Sequence, residues 1–200
     1  MATRSTNLAL FGGSKPWKSS EWTAQNDTLR GGSSVSHLIP SSNGTAIFSG
    51  NLDTTTLGSA GFASQRTTED RVWDLSCFEG IEIVVGEDVA AGIVFSLAGI
   101  VFTLVLKDSL PPSNTDRGVM EESTISYETT FSPGVGERVY LPFVGFKAMY
   151  RGRAKEDAPP VNLANIKRFS LMVRSFFGTQ SGPFQLTLVS ISAVTPPGSL

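Results

Sequence analysis

Apolar side chains recur at every second position in several short stretches, and that period commits the chain to β-strands rather than helices. From Thr124 to Glu128, Ile125 and Tyr127 alternate with Thr124, Ser126 and Glu128, giving one dry and one wet face. The same spacing puts Ile81, Ile83 and Val85 on one face, Phe169, Leu171 and Val173 on another, and Phe184, Leu186 and Leu188 on a third. Breaker clusters separate them: Pro40 to Gly44, Pro111 to Asn114, Ser132 to Gly136, Asp157 to Pro160 and Gly178 to Pro183. With 20 Gly and 11 Pro among 200 residues, a helical bundle is excluded, and short strands joined by turns predict an all-β sandwich of the jelly-roll type. A short helix is predicted at Pro16 to Ala24, with Trp17 supplied to the core, and a single turn near Leu163 to Lys167. One domain is expected over residues 11–193, between a flexible N-terminus, 1–10, and a C-terminal tail, 194–200.

An uncharged run from Val89 to Leu106 reaches the lower length limit for crossing a bilayer. It is a doubled heptad, AGIVFSL at Ala91 to Leu97 and AGIVFTL at Ala98 to Leu104, interrupted by Gly92 and Gly99 and rich in β-branched residues. That composition suits strands better than a membrane helix. Seven is odd, so a simple insertion would reverse every side chain in a period-two strand. The extra copy is expected to loop out, form a bulge or add a strand.

A chain of this length buries roughly 70% of its unfolded surface, so its core needs no metal or disulfide. A single cysteine, Cys77, and a single histidine, His37, exclude an internal disulfide and nearly every zinc site. The formal charge of −2 argues against nucleic acid or anionic membrane as a partner of the whole molecule. The apolar patch Leu8 to Phe11 is too short for a secretory signal, and Arg4 alone makes a poor mitochondrial presequence, so a cytoplasmic location is the expectation from sequence.

No catalytic constellation and no cofactor site emerge. His37 lies between Ser36 and Leu38 with no nucleophile elbow, and reads as a surface residue; Cys77 reads as a small buried thiol. Gly31-Gly32-Ser33-Ser34 reads as a tight turn, with a backbone nest for an anion as the alternative. The sequons at Asn26 and Asn43 read as chance matches in loops.

Three stretches set arginine beside aromatic residues and glycine: Gly58 to Arg66, Tyr150 to Arg153, and Arg174 to Gly182. Such combinations suit guanidinium stacking and bidentate anion pairing, and they equally suit loops clamped by arginine on backbone carbonyls. Read with Trp17 and Trp22, Asp27-Thr28-Leu29-Arg30-Gly31-Gly32-Ser33-Ser34, Gly61-Phe62-Ala63-Ser64-Gln65-Arg66, Trp73-Asp74-Leu75-Ser76, Leu106-Lys107-Asp108, Tyr150-Arg151-Gly152-Arg153 and Arg174-Ser175-Phe176-Phe177-Gly178, the chain resembles the NADH:ubiquinone oxidoreductase intermediate-associated protein 30 family. The likeness runs from about Phe11 to Ala193 and is strongest to short, single-domain fungal members. It implies a galactose-binding-like β-sandwich and, for mitochondrial members, a chaperone role in assembling respiratory complex I, with no cofactor and no catalytic residue.

The expected function is that of a binding module for a protein client, an assembly intermediate or another assembly factor. Arg30, Gly31, Gly32, Phe62, Gln65, Arg66, Tyr150, Arg151, Arg153, Arg174, Phe176 and Phe177 would form a single recognition rim. In that rim Arg30, Arg151, Arg153 and Arg174 take carboxylates or carbonyls, while Phe62, Tyr150, Phe176 and Phe177 cover apolar surface or belong to the core. The alternative is a cytosolic pocket for a small molecule or carbohydrate, or for a cofactor-free rearrangement.

Overall fold

The structure, a computed structural model, describes residues 7–68, 71–87, 99–111 and 123–195. In chain order its strands are β1 (Asn7–Gly12), β2 (Trp22–Ala24), β3 (Val35–Pro40), β4 (Ala46–Leu52), β5 (Phe62–Thr67), β6 (Gly80–Val85), β7 (Phe102–Lys107), β8 (Ser126–Phe131), β9 (Arg138–Pro142), β10 (Lys147–Tyr150), β11 (Arg153–Ala154), β12 (Arg168–Arg174) and β13 (Gly182–Val194). All pairings are antiparallel, and they close two sheets. One runs β3-β4-β13-β6-β9, with β1 also on β13; the other runs β11-β10-β8-β7-β12-β5-β2. Among the described residues the only helical pieces are short 3₁₀ turns, and no helix is long and apolar enough to cross a membrane.

The alternation seen in the sequence becomes the sandwich interior. Ile81, Ile83, Phe169, Leu171, Leu186 and Leu188 have no exposed surface, and Val85, Val173 and Phe184 have almost none. Thirteen residues long, β13 binds the first sheet together: β4 and then β1 pair along one edge, and β6 pairs along the other from Leu188 onward. Its inward residues change parity, from Phe184, Leu186 and Leu188 to Ile191 and Ala193, and a register shift between Leu188 and Ser190 absorbs the change. Phe48, Phe102, Phe131 and Phe184 fill one end of the core. Phe11, Trp17, Trp22, Trp73 and Phe169 fill the other.

Several expectations are corrected. Residues 7–10 are not a flexible terminus: they belong to β1, and Leu10 is buried, because pairing with β13 pulls them into the sheet. Pro16 to Ala24 holds only one 3₁₀ turn, Ser19–Glu21; Trp17 and Trp22 are both drawn into the core, and β2 extends to pair with β5. Near residue 163 the turn is likewise 3₁₀, Leu163–Asn165, capped by the Asn162 side chain. Cys77 is exposed rather than buried. The Asp74 carboxylate accepts from the Ser76 amide and hydroxyl, so the chain turns there and only Leu75 points inward. The first heptad copy lies outside the described residues; the second leads into β7, with Phe102 and Leu104 in the core.

Candidate functional site

Three chain segments distant in sequence converge at one corner of the sandwich. Phe62 on β5 pairs with Arg174 on β12, the Ser175 amide donates to the Gly61 carbonyl, and the Arg30 guanidinium lies 5.9 Å from the Phe62 ring centre. Arg174 stacks on Phe176 at 4.8 Å and pairs with Glu128 at 2.7 Å. Beyond β12 the chain reverses through three consecutive left-handed residues, Phe176 (φ 44°), Phe177 (φ 60°) and Gly178 (φ 89°). Two of these are not glycine, and each costs about 1 kcal/mol or more in that conformation. The turn is nevertheless fixed: the Ser175 carbonyl accepts from the amides of Gly178, Thr179 and Gln180, and the Gln180 side-chain amide bridges Val101 and Arg174. At its tip Phe177 is 93% exposed.

The Gly-rich segment before β3 serves the interior. Asp27 is buried, and its carboxylate accepts from the Ser34 amide (3.0 Å), the Ser34 hydroxyl (2.7 Å) and the Phe62 amide (3.1 Å). The nest suggested by Gly31-Gly32-Ser33-Ser34 therefore surrounds an internal carboxylate. Gly31 takes φ +81° to end the turn at Asp27–Arg30, and a Cβ on Gly32 would overlap the Asp27 side chain. Gln65 is also internal: its amide nitrogen donates to the Ser36 carbonyl and hydroxyl. Asn26 accepts from Ser36 and Ser64, so its sequon is tied down.

Tyr150, Arg151 and Arg153 lie elsewhere. Arg151 (φ 51°) stacks on Tyr150 at 5.3 Å in the β10–β11 turn. That turn sits on the far side of β8, β7 and β12 from β5, and at the Lys107 end of β7 rather than the Phe102 end. Strand spacing and rise put it roughly 15 Å across and 20 Å along from Arg174. The single arginine rim is thus corrected to two diagonally opposed corners, because the sheet order inserts β8 and β7 between β10 and β12. Beside Tyr150 is a cleft of about 540 Å³ lined by Asp108, Thr124, Ile125, Tyr127, Lys155 and Pro159 among others; Arg151 and Arg153 do not line it. Burial, with Asp108 nearby, raises the Tyr127 phenol above its ordinary pKa, and its hydroxyl donates to the Pro159 carbonyl at 3.0 Å.

Exposed carboxylates brace the loops. Asp53 is held well below the usual carboxylate range by the Thr55 hydroxyl first and then Thr56; Asp74 is lowered by Ser76, and Asp157 by Lys155. A depressed folded-state pKa contributes stability above the unfolded value and loses it as the group protonates. The urea midpoint is therefore expected to fall as pH drops through about 4; a midpoint that holds down to pH 2 would contradict these loop bonds.

Sequence reasoning missed the residues that share the outer face of the seven-stranded sheet with Arg66 and Arg174: Thr103, Glu128, Lys147 and Arg168. The even spacing of Arg168 and Arg174 on one strand was the available signal.

Among solved structures, the chain is similar to the family 11 carbohydrate-binding module of the cellulosomal cellulase Lic26A-Cel5E of Clostridium thermocellum, with a TM-score of 0.57 and 14% identity over 95% of each chain. The Clostridium thermocellum family 11 module in complex with a β-1,3-1,4-mixed-linked tetrasaccharide aligns with a TM-score of 0.53 and 14% identity over 88% of this chain and 89% of that one. At that identity the likeness concerns the fold: a galactose-binding-like sandwich. In sequence, an uncharacterised Schizosaccharomyces pombe protein, C9E9.15, is 40% identical over 195 residues, covering 94% of this chain and 84% of the relative. The profile of the complex I intermediate-associated protein 30 family matches residues 10–188, and the chain belongs to that family.

Proposed function

We propose that the chain is a non-catalytic binding module that grips a protein client, and that the client is an intermediate or factor of mitochondrial respiratory complex I assembly. The setting comes from the family. The observation that carries a protein client is Phe177: a fully presented aromatic ring on a strained but heavily hydrogen-bonded turn, flanked by Arg174 and by Arg30 on Phe62. A rigid aromatic knob beside guanidinium groups has the composition of a protein–protein anchor, and it loses little side-chain entropy on docking.

Two outcomes are expected of Phe177→Asn. Asparagine tolerates the left-handed backbone and the ring covers nothing, so stability should hold or rise by up to about 1 kcal/mol. Capture of complex I membrane-arm subunits or assembly factors from mitochondrial extract should fall about thirtyfold, the loss typical of an interface anchor. Equal capture by the variant defeats the reading, and so does a wild-type protein that recovers no such subunits and fractionates wholly with cytosol.

A second reading, a small-molecule pocket, rests on the partly apolar cleft beside Tyr150. It predicts ligand-induced changes in the Tyr127 and Tyr150 resonances, with no effect of Phe177→Asn.

A further inference from the structure

Among the described residues, the outer face of the seven-stranded sheet carries several buried side-chain atoms without a hydrogen-bond partner. Opposed residues in antiparallel strands share a face, so register puts Phe62, Ser64 and Arg66 of β5 beside Arg174, Met172 and Ser170 of β12. The face continues through Thr103 and Val105 of β7 to Thr130 and Glu128 of β8 and Lys147 of β10. Although it points away from the core, Ser64, Thr103, Val105 and Ser170 are each more than nine-tenths buried. The Arg174–Glu128 ion pair joins β12 to β8 across β7 and so lies over Thr103 and Val105.

Buried atoms without a hydrogen-bond partner concentrate here. Arg66 Nε, Arg174 Nε and Thr103 Oγ1 are all in that state, and no ion pair among the described residues involves Arg66. A desolvated guanidinium N–H without an acceptor costs more than a neutral one, and Arg66 and Arg174 each place one on this face. Charge points the same way. Arg66, Arg174 and Lys147 share this face with Glu128, on a molecule whose overall charge is −2. Hydroxyls of Ser64, Ser170 and Thr103 lie between the two guanidiniums along β5, β12 and β7.

From this we infer a ligand site that begins at Arg66 and ends at Arg174, where it meets the Phe177 corner. The strip from Arg66 across Ser64 and Met172 toward Arg174 takes a hydroxylated organic acid, whose acid group is carboxylate or phosphate. The Arg66 fork pairs with that acid group, and the serine floor receives its hydroxyls. Guanidinium geometry matches either oxyanion, so a sugar acid and a sugar phosphate share the chemistry.

Calorimetric titration of the full chain with trigalacturonate, glucose 6-phosphate, cellotriose and inorganic phosphate tests the site. One of the two hydroxylated acids should bind at least tenfold more tightly than both cellotriose and inorganic phosphate, and which one identifies the oxyanion. In that complex the amide resonances of Ser64, Thr103 and Met172 should shift. Arg66→Gln should weaken binding about tenfold to a hundredfold, with Arg66→Lys between it and wild type. Cellotriose binding equally well, inorganic phosphate binding equally well, or an Arg66→Gln affinity within twofold of wild type each overturns the assignment. Resonance shifts confined to the Tyr150 cleft would do the same, even if Arg66→Gln unfolded.

Discussion

Replacing Asp27 by alanine is expected to lower stability by about 4 kcal/mol, a fall of roughly 8 to 16 °C in thermal midpoint for a domain of this size. The carboxylate is 1% exposed and accepts three hydrogen bonds, two from Ser34 and one from the Phe62 amide. Truncation leaves the Ser34 and Phe62 amides without an acceptor beside a void, while the Ser34 hydroxyl keeps only the Asp53 carbonyl at 3.4 Å, and each unsatisfied donor costs about 1 to 3 kcal/mol. Asp27→Asn keeps the size but offers only one acceptor oxygen, so its amide must face a donor, and it should lose about half as much. The loss should extend beyond the local turn, because Phe62 begins β5 and the hydrogen bond its amide donates to Asp27 ties the Gly-rich segment to the second sheet. Thermal melts of both variants check the order. A change under 1 kcal/mol in Asp27→Ala would show that the segment is not braced by that carboxylate and would reopen Gly31 and Gly32 as ligand contacts.

That carboxylate also shows where sequence reading stopped. Ile81, Phe169 and Leu186 announced themselves by period two, because a strand with one buried face must repeat its apolar residues at that interval. Nothing in the spacing joined Asp27 to Ser34, 7 residues away, or to Phe62, 35 away. Bonds of that kind depend on which loops the sheet order brings together. The same limit governed the arginines. Tyr150–Arg153 and Arg174 carry similar arginine–aromatic motifs yet stand at opposite corners, because β10 and β12 are separated by β8 and β7. Phe62 and Arg174 are more than a hundred residues apart and adjacent on paired strands. Motif chemistry was legible residue by residue; its grouping into sites required the strand order.

The tryptophans that carried the family likeness lead to the second large effect. Phe169 has no exposed surface and meets Trp73 edge-on at 5.1 Å and Phe11 edge-on at 5.5 Å. Phe11 in turn packs on Trp17 and Trp22, so one ring holds β12 of the second sheet against β1 of the first. Phe169→Ala should cost about 3 to 5 kcal/mol, from lost transfer energy and the cavity that a cluster of rigid rings cannot collapse around. Tryptophan emission should shift to the red as water reaches the indoles of Trp22 and Trp73. The indole N–H groups of those two residues are buried without acceptors and would welcome a water. Phe169→Leu retains most of the volume and should recover more than half of the stability while leaving the edge-on geometry lost. If Phe169→Ala melted within 3 °C of wild type with unchanged emission, the two sheets would not be joined through this cluster, and the tryptophans that mark the family would need a role outside the core.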